Sequence, residues 1–473
     1  MLGCYGINTV DISETCAGTL SNIEVSYDGG VTYEYADVGP WLFENSTLPT
    51  QEIRFKLTIQ RPGCSDQYIT GSYFPDADCL PGYFSMTLNI TNTPYQFDLG
   101  TPTNYTYNYT VDWGDGTIES GKTGTAGHVY SNNGAYMVKI LGDFPAISFK
   151  SLNSVTRERL TGITKWGSIE WSSFSSSFIG CSNLTNISSP DVPDLSGVTD
   201  LQSMFEECTS LSNVSNINTW DTSNVTNMSK MFLAASPFSQ SISSWNVSKV
   251  TDMSWMLSDT SYNQSLSSWT PISCSNMSYM FYSTPFNQNI GSWNVSKVTN
   301  MSYMFGNSNF NQNIGSWTPV SCSNMAYMFY NTPFNQDISS WDVSKVTNMS
   351  YMFGNSDFNQ DISSWTPVSC SNMLGIFSGT SFNQDISSWN ISKVTDMSYM
   401  FYNTPFNQNI SGWDVSKVTN MNSMFESSSF NQNIGSWTPI SCSSMSYMFY
   451  DTPFDQDISS WNISKVTDMS YMF

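Results

Sequence analysis

Asp337, Asp361 and Asp385 stand 24 residues apart, each four residues before a tryptophan. Carboxylates at that interval, stacked in neighbouring layers, would repel one another unless solvated or bridged by a cation. Calcium is therefore the one cofactor the sequence raises. A second set keeps the same interval: ten residues after the tryptophans come Trp255, Tyr279, Tyr303, Tyr327, Tyr351, Tyr399, Tyr447 and Tyr471, interrupted by Gly375 and Ser423. A row of rings can stack on sugars or anchor a protein partner. The competing reading is that each ring covers the edge of its neighbour's core. Tyr279, Tyr303, Tyr327, Tyr351, Tyr399 and Tyr447 are the candidate binding residues.

Catalysis needs unlike groups converging on one place, and this chain supplies like groups in rows. His128 is its single histidine, and there is no Gly-rich phosphate loop, H-E-x-x-H or C-x-x-C, which argues against zinc, triad and phosphoryl chemistry. No catalytic residue is assigned and the chain is read as a non-enzyme. The alternative from another class is a carboxylate pair in the first 150 residues acting on glycosides.

What would position these rows is a repeat. Trp220 and Trp245 are 25 residues apart, and Trp245, Trp269, Trp293, Trp317, Trp341, Trp365, Trp389, Trp413, Trp437 and Trp461 follow at 24. Methionines such as Met301 fall eight residues after a tryptophan, pairs such as Met304-Phe305 eleven and twelve after, and Phe286, Phe310, Phe334 and Phe358 seven before. Such a fixed period marks units too small to fold alone that complete their cores against one another. Val298, Met301, Met304 and Phe305 recur at helical spacing, so "VTNMSYMF" is expected as a short helix. "NIGSW" alternates and is expected as a strand, stacked on its copies at about 4.8 Å per layer. The expected fold is thus β-rich N-terminal modules followed by a parallel strand-and-short-helix solenoid of 24-residue period.

The cysteines test that geometry. Cys274, Cys322, Cys370 and Cys442 share the slot of Val298 and lie at least two layers apart, too far for bridging at about 9.6 Å, so they are expected free. Cys181 and Cys208 occupy matching places in adjacent layers and are a candidate disulfide. Cys4, Cys16, Cys64 and Cys79 could form two more bridges in an oxidising compartment.

Ahead of the repeats, "IEVSYDGGVTYEY" predicts a hairpin about Asp28-Gly29-Gly30, and "EIRFKLTIQ" another strand. Further on, "YTVDWGDGTIES" and "HVYSNNGAYMVKILG" alternate around Asp115-Gly116 and Asn133-Gly134. These two strings resemble PKD-like immunoglobulin-type sandwiches. Asp112 and Asp115 are read there as turn residues capping backbone N–H groups. The repeats, as in "FNQDISSWDVSKVTNMSYMF" (Phe334 to Phe353), resemble the leucine-rich-type repeats of BspA-like surface proteins. The divisions expected are a small β domain at 1–80, a PKD-like sandwich at 81–150, leading layers of the solenoid at 151–197 and the regular array at 198–473.

The resemblance implies an exported, non-enzymatic surface protein serving adhesion or presentation. Its location would be extracellular or at a cell surface, with a virus surface as a further setting. Its partner would be a host-surface or matrix protein or a glycan. A structural subunit of a filament, cell wall or virus surface is the alternative, with self-assembly through the layer at Phe473, which lacks a polar cap; an incomplete sequence would explain the same ending. The formal net charge of −22 and the singly spaced lysines argue against nucleic acid. No run of 18 apolar residues marks a transmembrane segment. Asn89, Asn104, Asn108, Asn246, Asn294 and Asn390 head Asn-x-Ser/Thr sequons and are candidate glycosylation sites.

Overall fold

The computed structural model describes residues 19–26, 34–36, 53–60, 67–73 and 82–473. The chain divides into two units, Met1–Tyr83 and Phe84–Phe473. In the first, β1 (Thr19–Ser26), β2 (Glu34–Ala36), β3 (Ile53–Gln60) and β4 (Gln67–Tyr73) form an antiparallel sheet in the order β2-β1-β3-β4. β1 and β2 pair through Ile23 and Ala36, as the hairpin reading requires. The turn between them and Cys4, Cys16, Cys64 and Cys79 lie outside the described residues.

The second unit opens with β5 (Phe84–Ile90), β6 (Tyr95–Leu99), β7 (Asn108–Asp112), β8 (Ile118–Lys122), β9 (Ala126–Tyr130) and β10 (Gly134–Asp143). After the one-turn helix α1 (Ser154–Arg157) come β11 (Leu160–Lys165), β12 (Asn186–Ile187) and β13 (Asn213–Val214). One seven-stranded sheet runs β13-β12-β11-β5-β10-β7-β8, and β6 with β9 makes a separate pair. The strands within 81–150 thus fall into two sheets. β5 is flanked antiparallel by β10 on one side and β11 on the other, so the sheet stays open and continues through the parallel pairs β11–β12 and β12–β13. Phe84, Met86, Leu88 and Ile90 are buried along β5, and they begin a core that runs on through the repeats to Met472.

The repeats themselves correct the expected strand-and-short-helix solenoid. Among the described residues no helix or named strand follows β13 except a 3-10 turn at Ile217–Thr219. Each layer is a chain of turns joined to the next by a single-residue parallel bridge, from Asp200↔Asn227 through Asn300↔Asn324 to Ser444↔Asp468. Among the described residues the largest sheet is open and mixed, and helix is almost absent.

Competition for backbone donors explains why "NMSYMFGN" is not helical. Asn300 Oδ1 accepts the Ser302 N–H at 3.0 Å, closing a side-chain turn where a helix would begin. Tyr303 and Asn307 both take φ of 56°, the left-handed region no helix tolerates. The N–H groups of Met301, Tyr303, Phe305 and Asn307 then donate to Asn324, Ala326, Met328 and Tyr330 of the next layer at 2.8–3.0 Å. Two turns of isolated helix would be marginal, whereas this arrangement satisfies every second donor from a neighbour. "NIGSW" is not a strand either: Trp317 N–H donates to Ile314 O, closing a turn.

Inward side chains nonetheless recur by slot. Val298, Met301, Met304 and Phe305 are fully buried. Trp317 and Trp341 stack at 6.2 Å between centroids, Phe305 and Phe329 at 5.7 Å, and Phe305 lies on Phe310 at 3.9 Å. From Trp245 onward each repeat indole also finds a partner, as Trp317 Nε1 donates to Ile290 O at 3.0 Å in the layer before, whereas Trp220 Nε1 at the start of the row is buried with no partner among the described residues. A buried indole N–H left alone would be costly.

Candidate functional site

The aromatic row is built by backbone conformation. Trp255, Tyr279, Tyr303, Tyr327 and Tyr351 all have φ between 49° and 60°, an unusual state for bulky residues. Their N–H groups reach the next layer's carbonyls, Tyr327 to Ser350 at 2.8 Å for example. The rings then lie face to face: Trp255–Tyr279 at 3.7 Å, Tyr279–Tyr303 at 4.5 Å, Tyr303–Tyr327 at 4.3 Å and Tyr327–Tyr351 at 5.0 Å. Every ring is half-buried.

Because neighbours occupy their faces, the inner rings present edges and hydroxyls rather than platforms for a sugar. Burial, and then the adjoining tyrosines, push the phenols of Tyr279 and Tyr303 above their ordinary range, so they remain neutral donors. Gly375 ends the file: a Cβ there would stand 2.4 Å from Tyr351 Cε1, so that ring lies where a side chain would be. Tyr399 stands 39% exposed beyond the gap, and Tyr447 stacks on Tyr471 at 5.0 Å.

A second row escaped the sequence reading. Tyr282 meets Tyr279 edge-on at 5.6 Å and Tyr330 meets Tyr327 at 5.4 Å. Gly306 and Gly354 alternate with them and make room, since a Cβ on Gly306 would lie 3.2 Å from Tyr282. The signal available was the alternation "MFY" and "MFG" in successive repeats. Equally missed was the role of "FNQ". Asn311 Oδ1 accepts both the N–H of Asn335 at 3.0 Å and Gln336 Nε2 at 2.9 Å, and the same ladder runs from Asn263 to Gln456.

The aspartates are spread, not gathered. Asp337, Asp361 and Asp385 are exposed and each accepts the N–H two residues on, from Ser339, Ser363 and Ser387 at 2.8–2.9 Å. That backbone hydrogen bond holds the Asp337 carboxyl below its usual range, outweighing the opposing charge of Asp361. Among the described residues no group of three His, Cys, Asp or Glu could hold a metal ion.

Cys181 and Cys208 are free, which corrects the expected disulfide. Both are buried, and Cys208 Sγ donates to Phe178 O at 3.1 Å. Burial raises both thiols. Cys274, Cys322, Cys370 and Cys442 are also free and buried, with Cys322 pushed up to about 12.

In the β region, Asp112 and Asp115 cap the N–H groups of Gly114 and Thr117 at 2.9 and 3.0 Å. His128 pairs with Asp115 at 2.8 Å and stacks on Trp113 at 5.1 Å, tying that turn to β9. The sequon residues Asn89, Asn104, Asn108, Asn246, Asn294 and Asn390 are all exposed. Among the described residues no helix is long and apolar enough to cross a membrane.

A layer of turns carrying inward Trp, Met and Phe, repeated along the chain, defines a repeat protein whose surface consists of rows. Residues 172–285, 261–365, 308–405 and 371–473 match DUF285, described as Mycoplasma protein of unknown function, and together they cover well over half of the sequence. The chain belongs to the DUF285 family. This replaces the BspA-like leucine-rich-type likeness, and the PKD-like segment lies outside the matched residues. No curated protein and no solved structure matches the chain.

Proposed function

We propose that the protein is a non-enzymatic binding scaffold, extracellular or at a cell surface, that serves adhesion or presentation through its repeat face. The observation that carries this reading is the stacked file from Trp255 to Tyr351. Five successive layers hold bulky rings in a left-handed backbone that glycine would adopt at less cost. The file is pre-organised, and rigid aromatic edges with neutral hydroxyls suit a protein partner.

The test replaces Tyr279, Tyr303, Tyr327 and Tyr351 together with serine, the residue that stands at Ser423 in the same slot with φ 52°. Attachment to cells or to immobilised matrix protein should be lost while the unfolding midpoint is nearly kept. A single replacement should cost about 1 kcal/mol of binding or less, because weak contacts add along the row. Undiminished attachment by the folded fourfold variant removes the aromatic file as the binding face.

A further inference from the structure

On a different set of slots the surface opens into two grooves of matching chemistry. The first is lined by Asn289, Gly291, Gln312, Asn313, Gly315 and Asp337 among others, and the second by Asn409, Gln432, Asn433, Gly435 and Asp457 with their serines. Each is framed by three layers, two carrying asparagine and the last aspartate in the slot four residues before tryptophan, and Ser267 of the preceding layer borders the first. They lie five layers apart, about 24 Å at about 4.8 Å per layer.

Glycine explains where the grooves fall. A Cβ on Gly291 would stand 2.9 Å from Asn313 O, one on Gly315 2.7 Å from Asp337 O, and one on Gly435 2.9 Å from Asp457 O. Other layers hold Ser363 or Ser387 in that slot. The glycines therefore leave a main-chain carbonyl uncovered, and Asn313 O, Asp337 O and Asp457 O accept no hydrogen bond from the described residues.

The walls complete the pattern. Asn289 and Asn313 use Oδ1 for the N–H groups of Gly291 and Gly315, both at 2.9 Å, which leaves the Nδ2 amides as donors. Gln312 commits Nε2 to Asn287 at 3.0 Å and keeps Oε1 as an acceptor. Asp337 accepts Ser339 N–H on Oδ1 and keeps Oδ2.

Donors and acceptors thus alternate over three layers with no apolar side chain in the lining. Such a surface fits hydroxyl groups, which donate and accept at once. A polyanion is disfavoured by the net charge of −22 and by the lack of Lys or Arg in either groove. We infer that the two grooves are binding sites for one neutral, extended, polyhydroxylated chain, a linear β-linked polysaccharide, that spans both. This site is separate from the aromatic file and does not depend on it.

The probes are cellohexaose, chitohexaose and a heparin hexasaccharide, titrated against the full chain. Saturable binding of a neutral hexasaccharide and none of heparin is expected. Gly291→Ser with Gly315→Ser fills the floor of the first groove with the residue other layers carry. Asn289→Asp with Asn313→Asp removes the amide donors while keeping the capping oxygen, as Asp361 and Asp385 already do. A Gly435→Ser variant isolates the first groove, and in that background each double change should weaken binding about tenfold, the effect of one or two lost hydrogen bonds. In the otherwise unaltered chain, closing one groove should lower affinity for a long polymer far more than for a hexamer. No binding of either neutral hexasaccharide, binding of heparin alone, or unchanged affinity in both folded double variants would overturn the assignment. The fourfold tyrosine variant should bind these sugars normally, which separates failure here from failure of the adhesion reading.

Discussion

The sheet around β5 and the stack beyond β13 bury the same kinds of side chain but specify their register differently. β5 and β10 are held by seven successive residue pairs, from Gly134↔Ile90 to Ile140↔Phe84. Adjacent repeat layers share one bridge, such as Asn300↔Asn324. The stack replaces the missing ladder with turn N–H groups reaching forward, asparagine and glutamine side chains, and indole N–H groups. Regular strands are thus one way to satisfy a buried backbone, and repeated turns with identical neighbours are another. The second way works only because each layer meets its own copy.

The largest expected effect comes from removing an inward ring. Trp317→Ala should cost about 3–5 kcal/mol, and in a quasi-one-dimensional array it should split unfolding so that layers on either side melt separately. Met86→Ala in the sheet should cost about 2–5 kcal/mol within a single transition. Chemical denaturation followed by tryptophan fluorescence and far-UV circular dichroism distinguishes them, and one shared transition in both variants would end the contrast.

Next comes the polar ladder. Asn335 Oδ1 accepts Asn359 N–H and Gln360 Nε2, each at 3.0 Å. Asn335→Ala should destabilise by about 2 kcal/mol, since it strands a backbone donor between layers. A change within a few tenths of wild type would mean that water replaces the side chain there.

A smaller difference tests the left-handed slots. Tyr303→Gly and Tyr303→Ala lose the same stacking, but glycine accepts φ of 56° without the Cβ clash. The glycine variant should be the more stable of the two by about 1 kcal/mol in matched urea titrations. Met137 in β10 has no positive φ, and there alanine should be the better replacement.

The smallest effect is acid sensitivity. The Asp337 and Asp361 carboxyls sit below their ordinary range because backbone N–H groups donate to them. Groups lowered in the folded chain contribute stability above the unfolded value, and that contribution is lost as pH falls through the folded value, here below about pH 4. Both are exposed, so the loss should be slight. Asp337→Asn with Asp361→Asn, which copies the Asn289 and Asn313 layers, should flatten the melting-temperature profile below that pH.

The period, the inward slots and the rows were readable from the sequence because each is a matter of counting. Trp317, Met301 and Phe305 recur in phase, and all are buried. Tyr303 and Asp337 likewise belong to rows whatever the local conformation. The helix expected for "VTNMSYMF" failed because spacing of apolar residues does not report the sign of φ, and Tyr303 and Asn307 are left-handed. The bridge expected between Cys181 and Cys208 failed because matching slots do not tell which atom a thiol meets, and Cys208 meets Phe178 O.

What the sequence determined alone was therefore the identity of neighbours, since a 24-residue period places each side chain beside its copy. Only the tertiary structure decided the direction of the backbone donors. Whether an N–H closes its own turn or reaches the next layer depends on a competition between local and interlayer acceptors that no single repeat contains. The same decision fixed which surfaces are closed. The faces of Tyr279, Tyr303 and Tyr327 are taken by one another, while Gly291 and Gly315 leave carbonyls open beside Asn289 and Asn313.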